Sequence, residues 1–350
     1  MTRLRRADCS GPGITRKRAG SGFAFYDSST GEKIDDRETL ERVRELGIPP
    51  AWKDVWICPF PNGHLQATGI DAAGRKQYRY HDAWRTRRDA EKFEDMTRFA
   101  RALPKLREQV EKDLAATDEL TRERVLACAI RLLDRGFFRV GTEEYTESFG
   151  LATIRKRHVR IEDGQMVFDY VAKSGKRRIQ GVVDPLAQDI VCSLKKRRGG
   201  GSELLAYKNG RQWFDLRSDD INDYLKAKTG DDFSAKDFRT WSATVIAALA
   251  LAVSGPAFGT KTSRKRAITR AVKETAHYLG NTPAVCRASY IDPRVFDAYE
   301  GGLVLDANVI AEALDAEPGS LPTHHPRIER AVLDLIQGLE DSPRVESIAA

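Results

Sequence analysis

Hydrophobic and polar positions follow two different periods along this chain, and the change falls near residue 82. Before it, short runs carry aromatic and β-branched residues: 23–26, 54–58, 64–68 and 77–80. Pro49-Pro50 and the segments 59–63 and 71–74 supply turns between them. This predicts short strands, with one helix at 37–46. After residue 82 the spacing is helical. Residues 84–115 read as long polar helices broken at Pro104, because proline removes a donor and crowds the preceding turn. Residues 120–133 bring Val125, Leu126, Ala129, Ile130 and Leu133 to one face. Residues 151–183 alternate again, with Gly164 and Gly175 as punctuation, and predict an antiparallel sheet of about three strands. Helices are expected at 185–196, 221–228, 236–253, 264–279, 283–289 and 326–339. The fold class is therefore α+β: a small, mostly antiparallel β domain at the N-terminus, then a larger, mainly helical domain containing a small three-stranded sheet. The expected divisions are a flexible basic arm at 1–20, the β-rich domain at 21–85, the helical domain at 86–340 and a tail at 341–350.

Charge adds a partner class. The 350 residues carry a net charge of +7, and the first twenty hold six Arg/Lys against one Asp. An acidic polymer suits such a chain. The run Lys195-Lys-Arg-Arg198 could touch phosphates, but at a helix C-terminus its plainer role is to complement the dipole. Five scattered cysteines without a C-x-x-C pair argue against a disulfide framework and a structural zinc site, and fit a reducing cytoplasm. His324-His325 beside Pro326 reads as a loop and not as a ligand pair. No apolar run follows the basic N-terminus, so no secretory signal is expected. The most apolar stretch, 243–253, is too short to span a bilayer. Residues 255–262 superficially resemble a phosphate-binding loop, but Lys261 does not follow the second glycine directly. No ATP, metal or other cofactor is implied.

The segment 280–293 carries the candidate chemistry. Thr282-Pro283 reads as an N-cap with proline in the first turn, and Asp292-Pro293 closes the helix. So short a helix needs a larger body to hold it, and that body would fix Tyr290 in place. A fixed phenol in a basic protein can attack phosphorus. Metal-free phosphodiester cleavage also needs cations on the non-bridging oxygens and an acid for the leaving alkoxide. Arg139 in Phe137-Phe-Arg-Val-Gly141, Arg239 in Phe238-Arg-Thr240, Lys173 and Lys176 in a hairpin turn, and Asn281 are the candidates. Each alone has a plainer role: capping, pairing with a carboxylate such as Asp237, or facing solvent. Tyr290 alone would more often be a packed, satisfied tyrosine.

In order and spacing these pieces resemble the type IB DNA topoisomerases, most closely the short poxvirus and bacterial form. The resemblance spans about residues 22–315. It implies that Tyr290 is the nucleophile, Arg139 and Arg239 the phosphate-binding arginines, and Lys173 the general acid. Lys176 remains an alternative; the motif match favours Lys173, although Ala172 stands where glycine is usual. Asn281 lies nine residues before Tyr290, where many members have histidine. Ile48-Pro-Pro-Ala-Trp52, His64 to Gly69 and Gly74 to Tyr80 are similar to the family's DNA-cupping domain. There, Arg75, Lys76, Gln77, Tyr78 and Tyr80 are the candidate DNA contacts; the tyrosines would otherwise be strand core. The resemblance implies ATP- and metal-independent relaxation through a 3′-phosphotyrosyl link. It also implies a monomer clamping double-stranded DNA, without membrane association, in the cytoplasm and on the nucleoid if bacterial. A tyrosine recombinase shares the Arg–Lys–Arg–Tyr chemistry but usually carries a helical N-terminal domain. A non-catalytic DNA-binding clamp is the third reading.

Overall fold

Alternation of small and apolar residues with polar ones builds one antiparallel sheet from the first eighty residues. The structure is a computed structural model, and it describes residues 3–144, 147–254, 260–316 and 322–348. The strands are β1 (Ile14–Ala19), β2 (Gly22–Asp27), β3 (Lys53–Ile57), β4 (Leu65–Ile70) and β5 (Lys76–Tyr80), in the order β2-β1-β3-β4-β5. Helix α1 (Arg37–Glu45) is capped by Asp36, whose carboxylate accepts from Thr39 N at 2.8 Å. Val43 from α1 joins Ile14, Val55, Ile57 and Ala67 in the core, with Phe25 and Trp52 packed against it.

The basic arm expected over residues 1–20 needs correction, because residues 14–19 are strand β1. Strand β1 pairs with β2 and β3. Arg16 donates to the carbonyls of Ile48, Pro49 (3.0 Å) and Trp52 (2.7 Å). These charges sit on a strand that is paired along its length with β2 and, at Ile14 and Thr15, with β3.

The chain forms two compact units, Met1–Glu94 and Asp95–Ala350, and the division falls inside α2 (Asp82–Ala115). Helix α2 is not broken at Pro104, contrary to expectation. Met96, Phe99, Leu103, Leu106 and Val110 form a buried stripe through the proline. An interior proline costs about 3 kcal/mol, which the burial of several large side chains offsets.

The second unit continues with α3 (Arg122–Gly136), then β6 (Val159–Glu162), β7 (Gln165–Ala172) and β8 (Lys176–Val182). These strands form the expected antiparallel sheet, in the order β6-β7-β8. Helix α4 (Pro185–Lys196) precedes a hairpin, β9 (Ala206–Asn209) and β10 (Gln212–Asp215), which the sequence pattern did not reveal. Next come α5 (Ser218–Thr229), α6 (Ala235–Val253), α7 (Lys261–Leu279), α8 (Pro283–Ser289) and α9 (Arg294–Glu300). Strand β11 (Leu303–Leu305), α10 (Ala307–Ala316), α11 (Pro326–Ile336) and β12 (Val345–Ser347) complete the unit. The expected tail is also corrected: β12 pairs with β11. Helix α6 is buried nearly all round, from Phe238 to Leu251, and is the unit's central strut. Arg197 serves the end of α4 by donating to the carbonyls of Leu194 and Leu204, whereas Lys195 reaches across to the carbonyls of Lys156 and Val159. The loop-like segment 255–259 lies outside the described residues. Among the described residues, no helix is long and apolar enough to cross a membrane.

A buried ion network ties α2, α3 and α11 together. Arg107 forks onto Asp134 (2.8 and 2.9 Å) and Glu329, and Trp241 donates to Glu329 at 2.9 Å. His324 packs beside Asp134, and burial holds its imidazole down at about 4, so it is neutral at neutral pH. Removing Arg107 strands two buried carboxylates. Arg107→Ala is therefore expected to destabilise the protein by about 3–5 kcal/mol, measured by urea denaturation. A loss below about 1 kcal/mol would mean that the carboxylates are hydrated or protonated instead.

Candidate active site

Three helix ends and one hairpin turn converge on a single pocket in the second unit, and a fourth helix end is tied to two of its arginines. Helix α3 ends in a left-handed residue, Phe137 (φ 54°). The chain then turns so that Arg139 O accepts from Leu151 N (2.8 Å) and Val140 O from Ala152 N (2.7 Å). Gly141 makes this possible. Its φ is +77°, and a Cβ there would lie 2.7 Å from Gly150 Cα. The glycine two residues after the arginine thus has a steric reason.

Helix α6 delivers Arg239 from its second turn. The residue is 3% exposed, and its guanidinium donates to Phe137 O and to Leu279 O (2.9 Å). Those carbonyls belong to the C-terminal ends of α3 and α7, where the helix leaves acceptors unpaired. Helix α7 closes on left-handed Gly280 (φ 63°), and Asn281 follows. Arg139 donates to Asn281 Oδ1. A guanidinium has no acceptor, so the amide oxygen must face it. That leaves Asn281 Nδ2 buried and without a hydrogen-bond partner.

Thr282 caps α8 by accepting from Val285 N, with Pro283 in the first turn, as the spacing predicts. Tyr290 is the residue that ends the helix, its N–H donating to Cys286 O at 3.0 Å. Around it Cys286, Ile291 and Asp292 are fully buried, and Asp292 N donates to Thr244 on α6 at 3.1 Å. The short helix is therefore anchored at both ends. The Arg239 guanidinium lies 5.2 Å from the centre of the Tyr290 ring.

The β7–β8 turn, Lys173–Gly175, carries Ser174 and Gly175 at positive φ (67° and 70°). Ala172 has φ −93°, a conformation open to any residue, so its departure from glycine is tolerated. Arg139, Lys173, Arg239 and Tyr290 line one pocket of about 230 Å³, together with Thr142, Ser148, Phe149 and Lys236. Lys176 and Asn281 are not among its lining residues. Lys236 went unremarked as a site residue; its position three before Arg239, one helical turn, is the signal that places both on this side of α6.

Burial alone raises the Tyr290 phenol. Arg239 opposes this by charge and by hydrogen bond, Arg139 and Lys236 add to it, and the net shift is downward. Arg239 is itself held down at about 10, first by burial and then by Arg139 and Arg178, against the pull of Tyr290. Among the described residues no carboxylate pairs with Arg139, Lys173 or Arg239, and no group of three or more His, Cys, Asp or Glu is placed to hold a metal. The arrangement is a positively charged hollow around one phenol, suited to a tetrahedral anion.

The first unit carries the second candidate surface. Tyr78 and Tyr80 on β5 are 48% and 36% exposed and stacked, with centroids 6.1 Å apart. They are not strand core. Lys76 is exposed beside Tyr78, whereas Arg75 and Gln77 are both engaged by Asp71 at 2.8–3.0 Å.

Comparison with known proteins follows the same division. The family described as eukaryotic DNA topoisomerase I, catalytic core, matches residues 81–301, and that of the bacterial DNA topoisomerase IB, N-terminal domain, matches residues 22–71. A DNA topoisomerase 1B of Acanthamoeba polyphaga mimivirus is 31% identical over 305 residues, covering 82% of this chain and 88% of the relative. The DNA topoisomerase 1B of Vaccinia virus (strain Copenhagen) is 20% identical over 280 residues, covering 78% and 85%.

The cationic hollow makes the phenol itself a probe. Ultraviolet titration, differenced against Tyr290→Phe, is expected to show one phenol ionising below the ordinary tyrosine value of about 10. In Arg239→Met that phenol should move up, because burial loses its main opponent. An unchanged titration in Arg239→Met would mean that the two side chains are not coupled.

Proposed function

This chain belongs to the type IB DNA topoisomerases and is a type I DNA topoisomerase, and from that premise we propose that it relaxes supercoiled DNA through a covalent link to Tyr290. The observation that carries this reading is the single pocket in which Arg139, Lys173 and Arg239 surround the phenol with, among the described residues, no carboxylate to neutralise them. A DNA phosphate supplies the missing negative charge.

Tyr290 Oη attacks phosphorus and releases its proton to solvent. The new P–O bond forms in line as the P–O5′ bond breaks, leaving a 3′-phosphotyrosyl link and a 5′-hydroxyl. Arg139 and Arg239 donate to the non-bridging oxygens, where negative charge grows, so they stabilise the transition state more than the ground state. The unpartnered Asn281 Nδ2 is a further donor for the same oxygens. Lys173 passes a proton to O5′ as it leaves. While the strand is open the duplex rotates; O5′ then attacks phosphorus and Tyr290 leaves. One phosphoester replaces another, so the cycle runs without ATP, and the fixed cations fill the role a metal would have.

Exposed Lys76, Tyr78 and Tyr80 contact the duplex, with Arg75 and Gln77 joining once released from Asp71. The protein works as a monomer clamped on double-stranded DNA, in the cytoplasm and on the nucleoid if its source is bacterial. Phosphate contacts of this kind bring strong salt dependence.

Relaxation of a supercoiled plasmid without magnesium or ATP is the direct test. Activity is expected, and Tyr290→Phe should abolish both relaxation and the protein–DNA adduct while leaving duplex binding nearly unchanged. Arg139→Ala and Arg239→Ala should each slow cleavage by about 10²-fold or more. A normal adduct yield from Tyr290→Phe would sink the nucleophile assignment.

The leaving-group role separates the two lysines. A substrate with a 5′-bridging sulfur leaves as a thiolate and needs no proton, so it should rescue Lys173→Ala. Rescue of Lys176→Ala instead would move the role three residues along. Across pH 5 to 9, Asn281→Ala should slow cleavage less than Arg239→Ala does, because a neutral donor contributes less than a charged one. A wild-type rate in Asn281→Ala would leave Asn281 a structural residue only.

A further inference from the structure

We propose that Arg178 and Gln180 on β8 are the positioning pair of this active site, locking the hairpin that carries Lys173 to the two helix ends that carry Arg139 and Asn281. The inference rests on the topoisomerase reading above and assigns new residues to it. Alternation along β8 points Arg178, Gln180 and Val182 toward the body of the unit, while Arg177 and Ile179 face solvent. Arg178 Nε donates to Gln180 Oε1, and its Nη2 donates to Tyr278 O. Gln180 Nε2 then donates to Gly136 O. Both ends of the Gln180 amide are specified, since its oxygen faces a guanidinium and its nitrogen a carbonyl.

The four carbonyls form a pattern. Arg239 joins Phe137 O to Leu279 O; Arg178 and Gln180 join the preceding residues, Gly136 O and Tyr278 O. The Arg239 guanidinium from α6 and the Arg178–Gln180 pair from β8 therefore hold successive acceptors at the ends of α3 and α7, with Gln180 taking Gly136 O and Arg178 taking Tyr278 O. Such carbonyls have no partner within their own helix. Arg139 begins two residues after one end, and Asn281 two residues after the other. Lys173 lies five residues before Arg178 across a tight turn.

Gly280 allows the approach. A Cβ at that position would collide with Arg178 Nη1. Tyr170, directly opposite Arg178 in the β7–β8 register, supplies the other wall. Neither Arg178 nor Gln180 lines the pocket, and their side-chain hydrogen bonds go to each other and to the two helix ends, so they act through Lys173, Arg139 and Asn281. Lysine cannot replace the arginine fully, because a single ammonium cannot present the same planar fork to two acceptors.

The consequence is a specific kinetic signature. Loosening this tie should misplace the acid relative to the bound phosphate, and small misplacements cost up to about 10²-fold. The test is single-turnover cleavage of one defined duplex carrying either the ordinary phosphodiester or a 5′-bridging sulfur. The proteins are wild type, Lys173→Ala, Arg178→Ala, Arg178→Lys, Gln180→Met and, as control, Arg177→Ala at the exposed neighbour. Arg178→Ala should lose about 10- to 100-fold on the phosphodiester and several-fold less on the sulfur substrate, with duplex binding near wild type. Arg178→Lys should recover part of the rate, Gln180→Met should show a smaller loss with the same sulfur preference, and Arg177→Ala should resemble wild type. Equal losses on both substrates, or phosphodiester cleavage by Arg178→Ala within twofold of wild type, would overturn the positioning role. If Arg178→Ala does not fold, Gln180→Met decides by the same criterion. Failure of the sulfur to rescue Lys173→Ala would instead overturn the acid assignment itself, which keeps the two failures distinct.

Discussion

A buried guanidinium with no carboxylate partner is the constraint on which this catalytic unit is arranged. Arg239 sits almost wholly out of water and meets carbonyl dipoles at the ends of α3 and α7 and the Tyr290 phenol. Its Nε has no partner at all. An uncompensated buried charge is expensive, and proteins usually pair it. Here the cost is reduced by two groups of acceptors that helix geometry leaves free. The same contacts fix where α3 and α7 stop, and so where Arg139 and Asn281 begin. One interaction therefore sets both the electrostatics of the pocket and its geometry.

The same unit also contains the opposite solution. Arg107 has two buried carboxylates and a near-complete set of hydrogen bonds. That guanidinium is fully compensated by carboxylates, and the network holds helices together. Arg239 has no carboxylate partner among the described residues, and together with Arg139 and Lys236 it outweighs burial and brings the Tyr290 phenol down. The contrast separates structural arginines from those poised for an anion more clearly than exposure does, since Arg107 and Arg239 are both largely buried.

Much of this was legible in the primary structure because the signals were local. Thr282, Pro283 and the Asp292-Pro293 pair mark the start and stop of α8 by backbone chemistry alone, and the structure has its bounds there. The alternation that predicts β6 to β8 depends on burial of one face, which the short-range pattern records. Other elements depend on distant partners. Strand β1 is half basic, and only its pairing with β2 and β3 and the reach of Arg16 to the 48–52 turn make it a strand. Helix α2 passes through Pro104 because a buried stripe holds it, which no propensity at residue 104 reveals. Arg178 reads as one more cation in a basic hairpin until Tyr278, one hundred residues away, is placed against it. The roles proposed for the candidate residues come from family resemblance and not from spacing alone.

The two departures from the family pattern are explained by the same reasoning about what a position must offer. At 172 the backbone is extended with negative φ, so a methyl group meets no penalty and glycine is not required. At 281 the requirement is set by Arg139, which can only donate. The side chain there must present an acceptor to Arg139 and, on the proposed mechanism, also hold a donor for the phosphate. A primary amide does so through Oδ1 and Nδ2. A neutral imidazole does so through its two ring nitrogens, one bare and one protonated. A charged imidazole would turn a second donor toward the guanidinium and lose that contact. Asparagine thus keeps the pairing that histidine would make in its neutral form, without the proton that would break it.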